Sequence, residues 1–165
     1  IRAMYLEAIA KASTNIWMTH AYFIPDQDFV DALRVAAMRG VDVRLLLPMT
    51  SNHVVADWIS RGYFEQLLVA GVRIFRFSGA MVHAKTSTID GSWSTVGTAN
   101  VDRLSLQGNY EINVEIIDPS MAAKLEEIFL TDLTNAVELS LEDWEARSFQ
   151  RRFAEGILAP LRPLL

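Results

Sequence analysis

Apolar positions recur every three or four residues at Ile1, Tyr5, Ala8, Ile9 and Ala12, then give way to the compact run Asn15-Ile16-Trp17-Met18-Thr19. The first pattern predicts a helix over 1–12 and the second a strand entering the core. The aromatic stretch Ala21-Tyr22-Phe23-Ile24 halts at Pro25, and Asp26 or Asp28 can cap a second helix that runs to Arg39 and stops at Gly40. Residues 41–47 (V-D-V-R-L-L-L) form a strand whose second half is apolar on both sides, as in a sheet covered by helices. This alternation of helix and strand predicts a parallel α/β arrangement.

Residues 48–53 (P-M-T-S-N-H) read as a loop in which Ser51 or Asn52 caps a further helix, through Asp57-Trp58 to Val69 and closed by Gly71. Open α/β sheets bind ligands beyond the carboxyl ends of their strands, so this loop would bring His53 towards a substrate. Residues 72–77 alternate as a strand with Arg73 and Arg76 on opposite faces, and 92–96 return after an Asp90-Gly91 turn. The stretch 101–109 is loop-like. A strand over 110–117 would place Glu111, Asn113 and Glu115 on one face and Ile112, Val114 and Ile116 on the other. Residues 119–139 read as one amphipathic helix with Pro119 in its first turn. The end, 141–165, reads as a helical tail carrying Arg147, Arg151 and Arg152 before an apolar terminus, suited to an anionic bilayer surface or to packing on its own domain or a neighbour.

A length of 165 residues with 51% hydrophobic and 21% charged residues is that of a single globular domain. With no cysteine, disulfides and thiolate metal sites are excluded, and the three histidines are not spaced as zinc ligands. Neither a metal nor another cofactor is expected. No apolar run reaches the ~18 residues of a membrane span. The net charge of −5 weighs against a nucleic-acid partner, because binding by counterion release needs a basic face. The chain opens at Ile1, inside a helical pattern and without an initiator Met, which reads as a piece of a longer protein.

Candidate chemistry concentrates in 82–100. His83, Lys85 and Asp90 are spaced H-x-K-x-x-x-x-D, and six intervening residues lead to Gly97-Thr98-Ala99-Asn100. Two residues apart in an extended run, His83 and Lys85 share a face. An imidazole serves as nucleophile or general acid near neutral pH, and a fixed cation beside it favours a phosphate. The pair points to phosphoryl transfer without a metal. Lysine is scarce here, three against twelve arginines, so Lys85 reads as a chosen compact point charge.

This spacing resembles the signature of the phospholipase D superfamily at every specified position. The wider wording is similar to the C-terminal half of bacterial cardiolipin synthases over residues 1–144, through Ala21-Tyr22-Phe23-Ile24-Pro25, 39–48 (R-G-V-D-V-R-L-L-L-P), Ser51-Asn52-His53, Asp57-Trp58, 70–74 (A-G-V-R-I) and 109–115 (N-Y-E-I-N-V-E). The resemblance implies an α/β fold with a mixed β-sheet sandwiched between helices, and one active site built from two His-Lys motifs related by a pseudo-twofold axis. One His attacks phosphorus to give a phosphohistidine, and the other protonates the leaving alcohol and then deprotonates the acceptor. By the same resemblance His83 is nucleophile or acid/base, Lys85 and Asn100 hold phosphoryl oxygens, and Thr98 supports them. Glu111 is the candidate to accept the Nδ1 proton of a catalytic His. Asp90 completes the signature and stands with the catalytic set, although the turn after it suits an organising role better.

One departure divides the functional readings. The chain carries a single H-x-K motif, because neither His20 nor His53 has Lys two residues on. Either a preceding half supplies the second motif, and the whole moves a phosphatidyl group from one phosphatidylglycerol to another, or a second copy of this chain supplies it, as in the small nucleases of the superfamily. A third reading is a non-catalytic interaction domain, which the retained His83, Lys85, Asn100 and Glu111 oppose. The first reading expects a phospholipid substrate, a membrane-associated parent and a fragment that is itself soluble.

Overall fold

The computed structural model describes residues 1–51 and 54–147. His53 and the basic and apolar end, with Arg151 and Arg152, lie outside the described residues. The first half runs α1 (Arg2–Lys11), β1 (Asn15–His20), β2 (Phe23–Ile24), α2 (Gln27–Met38), β3 (Asp42–Pro48), α3 (Val54–Arg61), α4 (Phe64–Val69) and β4 (Arg73–Phe77). The second runs β5 (Lys85–Ile89), β6 (Trp93–Gly97), β7 (Val101–Asp102), a π-helical turn (Leu104–Gly108), β8 (Asn113–Ile117), α5 (Pro119–Leu133), β9 (Ala136–Leu139) and α6 (Leu141–Glu145).

Seven strands form one mixed sheet in the order β8-β6-β5-β1-β3-β4-β9. Only β1, β3 and β4 are mutually parallel; β5, β6, β8 and β9 join antiparallel. The parallel core follows from the helix-strand alternation of the first half. Short turns such as Asp90-Gly91 then allow hairpin pairing in the second. Side chains of β1 and β3 alternate between two layers. Ile16, Met18, Val43, Leu45 and Leu47 join Tyr5, Ile9, Phe29, Leu33 and Phe64 in the main core. On the opposite face Leu46, Phe75 and Phe129 pack with Trp17, which stacks on Phe129 at 5.4 Å. The result is a sheet between helices. Among the described residues no helix is long and apolar enough to cross a membrane.

Local chemistry explains the helix limits. Asp26 caps α2 by accepting from the Phe29 N–H (2.9 Å), and the chain leaves through Gly40 at φ 93°, a left-handed value that favours glycine. Asp118 caps α5 through the Met121 N–H (2.7 Å), with Pro119 in the first turn.

Several boundaries differ from the sequence reading. The helix expected through Val69 is two helices, α3 and α4, because the N–H groups of Gly62 and Tyr63 turn back onto the Ile59 and Ser60 carbonyls in a tightened turn. The helix expected over 119–139 ends at Leu133, and Ala136–Leu139 crosses over to pair with β4. Glu138 there accepts two hydrogen bonds from Arg73, at 2.7 and 2.8 Å. The ladder satisfies backbone groups that an overlong helix end would leave to solvent. The stretch 101–109 is not a plain loop but β7 and the π-helical turn, and the strand expected from 110 begins only at Asn113.

Candidate active site

Lys85 opens β5 and lies opposite His20, the last residue of β1, in the antiparallel register. His83 stands two residues earlier, outside the strand and exposed, whereas Lys85 is only 7% exposed. The Lys85 ammonium donates to the His83 carbonyl (2.9 Å) and to the imidazole Nδ1 (2.9 Å), with Nε2 at 3.4 Å. Burial lowers the pKa of Lys85 from the usual lysine range, and the Glu111 and Asp102 carboxylates pull it back. Tyr22 stands edge-on to the His83 ring, with centroids 6.1 Å apart.

The Gly97-Asn100 turn is stapled to residues 111–113. Thr98 N–H donates to the Ile112 carbonyl (2.9 Å), its hydroxyl donates to the Glu111 carboxylate, and Ile112 N–H donates to that hydroxyl (3.0 Å). Asn113 Oδ1 accepts from the Ala99 N–H (3.2 Å). A Cβ on Gly97 would overlap Asn113 Oδ1 and the Ile112 carbonyl. The glycine is therefore required by a close approach and not by a special φ. One residue on, Asn100 Oδ1 is buried with no hydrogen-bond partner among the described residues. β2 pairs with β7, which sets the Tyr22 loop beside this turn.

The structure thus gathers His83, Lys85, Thr98, Asn100 and Glu111 towards one end of the sheet, but not in every expected contact. Glu111 engages Thr98, while Nδ1 of His83 faces Lys85. Asp90 is not in the group. It sits at the far end of β5 at φ 51°, where its carboxylate accepts from the backbone of Ser13 (2.9 Å), Thr14 (2.7 Å) and Asn15 (3.1 Å) and from the Ser13 hydroxyl (2.9 Å). Burial alone would raise its pKa, but the N–H groups of Thr14, Ser13 and Asn15 outweigh it and hold the carboxyl below the usual range. Its place in the catalytic set is corrected to a brace between the β5–β6 turn and the start of β1.

Beneath the site lies a polar layer that the sequence reading did not anticipate. His20 is fully buried, its Nε2 3.4 Å from Ser87 Oγ and its ring edge-on to Tyr5. Asn113 Nδ2 reaches the Tyr5 hydroxyl (3.4 Å) and Thr95 Oγ1 (3.2 Å). The available signal was the polar run Lys85-Thr86-Ser87-Thr88 in a strand otherwise destined for the core. Burial, then the nearby Lys85 charge, lowers the His20 pKa to about 3. The unfolded imidazole titrates near 6.5, so the unfolded state binds the extra proton between these values. Stability is full above pH ~6.5 and falls as pH drops towards 3, by up to ~1.4 kcal/mol per pH unit for this one group. Urea midpoints measured from pH 7.5 to 4 should show that slope, and His20→Gln should flatten it.

Chemically the arrangement offers one exposed imidazole and one desolvated ammonium, a pair that can hold a phosphoryl oxygen and exchange a proton at the reacting group. Among the described residues no His, Asp and Glu side chains converge as a metal site.

Comparison with known proteins adds a family model, a relative and two solved structures. The family model described as cardiolipin synthase, PLD-like domain, matches residues 5–133. The cardiolipin synthase of Clostridium perfringens strain SM101 is 39% identical over all 165 residues, and the chain spans only 35% of that relative's length. Among solved structures, Nuc from Salmonella typhimurium, a phospholipase D family member, superposes with a TM-score of 0.73 at 23% identity, covering 84% of this chain and 90% of its own. The phosphatidylserine synthase of Haemophilus influenzae superposes at 0.72 and 10% identity, covering 99% of this chain and 42% of its own. These two likenesses concern the fold.

Proposed function

Because the chain belongs to the phospholipase D-like domain family of cardiolipin synthases, we infer that it supplies one of two His-Lys motifs to a phosphatidyltransferase that makes cardiolipin from phosphatidylglycerol. The observation that carries this reading is the exposed His83 held by a buried Lys85, with the Thr98-Glu111 pair beside it. In the first step an imidazole nitrogen attacks phosphorus, the N–P bond forms, and the glycerol oxygen leaves with a proton from the second imidazole. In the second step that imidazole takes the proton of the acceptor hydroxyl, whose oxygen forms the new P–O bond as the N–P bond breaks. The Lys85 ammonium and the Asn100 Nδ2 amide donate to the non-bridging oxygens, and Lys85 is the more effective for being desolvated.

The parts beyond this chain would supply the second motif and the attachment to the membrane. The test is product analysis in mixed micelles of phosphatidylglycerol with the assembled enzyme. Cardiolipin with release of glycerol is expected; phosphatidic acid as the sole product, or turnover only on nucleic acid, would replace the transferase with a phosphodiesterase. The second reading, a homodimer of this chain, draws on the match over 90% of a short phospholipase D-type chain.

A further inference from the structure

Next to the His-Lys pair is a small open pocket that the phosphoryl chemistry leaves unused. It lies where β3 ends, and Leu47 and Phe64 give it an apolar wall. Its polar wall is Tyr22, Asp57, Ser60 and Arg76. Asp57 and Ser60 are three residues apart on α3, so they face the same way. Arg76 is committed elsewhere. Its guanidinium donates to the carbonyls of Pro48 (3.1 Å) and Met49 (2.6 Å) and lies over the Phe64 ring at 5.5 Å.

These features select the ligand. An anion would meet the Asp57 carboxylate, and the guanidinium that would attract it already serves two carbonyls. The two walls complement one end of a small polyol, a hydroxyl meeting Asp57 and Ser60 and the carbon that bears it meeting Phe64 and Leu47. Tyr22 links the pocket to the chemistry, since the same ring lines it and stands edge-on to His83. We propose that this pocket is the acceptor subsite, holding the glycerol headgroup whose hydroxyl resolves the phosphoenzyme. The proposal rests on the transferase reading. The acceptor hydroxyl gives its proton to the imidazole that is not phosphorylated, and its oxygen replaces nitrogen on phosphorus.

The test uses the assembled enzyme with phosphatidylglycerol as donor and free labelled glycerol as acceptor, scored for exchange of label into phosphatidylglycerol against hydrolysis to phosphatidic acid. Asp57→Asn keeps an oxygen for the Ser51 N–H that Asp57 now accepts (2.8 Å), and Ser60→Ala removes one hydroxyl. Each variant should raise the glycerol KM, Asp57→Asn by at least about tenfold, as expected on losing a charge-assisted hydrogen bond, and shift product towards phosphatidic acid. A general loss of fold or of the phosphoenzyme step would lower both products together and leave their ratio unmoved. An unchanged ratio and glycerol KM in both variants overturns the subsite, as does an effect seen only as a dependence of donor KM on acyl length. Absence of both products from the unmodified enzyme would instead overturn the transferase reading beneath it.

Discussion

His83→Ala should abolish phosphatidyl transfer by the assembled enzyme, a fall of at least about a thousandfold. Such a loss is expected for a group that either forms the covalent bond or moves the proton in each half-reaction. Among the described residues His20 is the other histidine, and it is fully buried with a pKa of about 3, so it cannot take over. The residual behaviour of the variant separates the two roles. If His83 is the acid/base, an ester with a good leaving group such as p-nitrophenol still phosphorylates the second imidazole, and a burst of one equivalent appears. If His83 is the nucleophile, no burst appears with any ester.

Gly97→Ala should be the most damaging substitution that touches no titrating group. The added methyl would overlap Asn113 Oδ1 and the Ile112 carbonyl, and one of these is backbone in the join between the turn and β8. Moving them costs about 1–3 kcal/mol for overpacking, with roughly 1 more for the Ala99 N–H to Asn113 hydrogen bond. At about 2–4 °C per kcal/mol for a chain of this size, Tm should fall by several degrees. Activity should fall further than stability explains, because Asn100 rides on the displaced turn. The double variant Gly97→Ala with Asn113→Gly removes the side-chain part of the clash. It should recover part of the Tm while leaving the activity low, since Ala99 N–H then has lost its acceptor.

Much of this was readable in the residues. The apolar both-faced run Leu45-Leu46-Leu47 announced a strand buried between helices, and Asp26 and Gly40 marked both ends of α2. The H-x-K spacing placed His83 and Lys85 together, as found, although the structure separates an exposed imidazole from a buried ammonium because the strand starts only at Lys85. Contacts between distant segments were not readable. Asp90 looks like part of a chemical signature, yet its partners are Ser13, Thr14 and Asn15, more than seventy residues away. Asn113 shares strand periodicity with Glu115, and nothing in that pattern says that its carboxamide crosses over a glycine to hold a turn. The short strand Ala136–Leu139 continues the apolar rhythm of α5, so only pairing with β4 distinguishes it from one more helical turn.

One half of a shared active site is what this chain contributes in the proposed enzyme. The direct measurement is the mass of the 165-residue chain by light scattering, taken together with its phosphodiester turnover in phosphatidylglycerol mixed micelles. The expected result is a monomer without turnover that gains activity only when a second His-Lys half is supplied. An active dimer of this chain alone, silenced by His83→Ala, would contradict it and establish a single-motif phosphodiesterase instead.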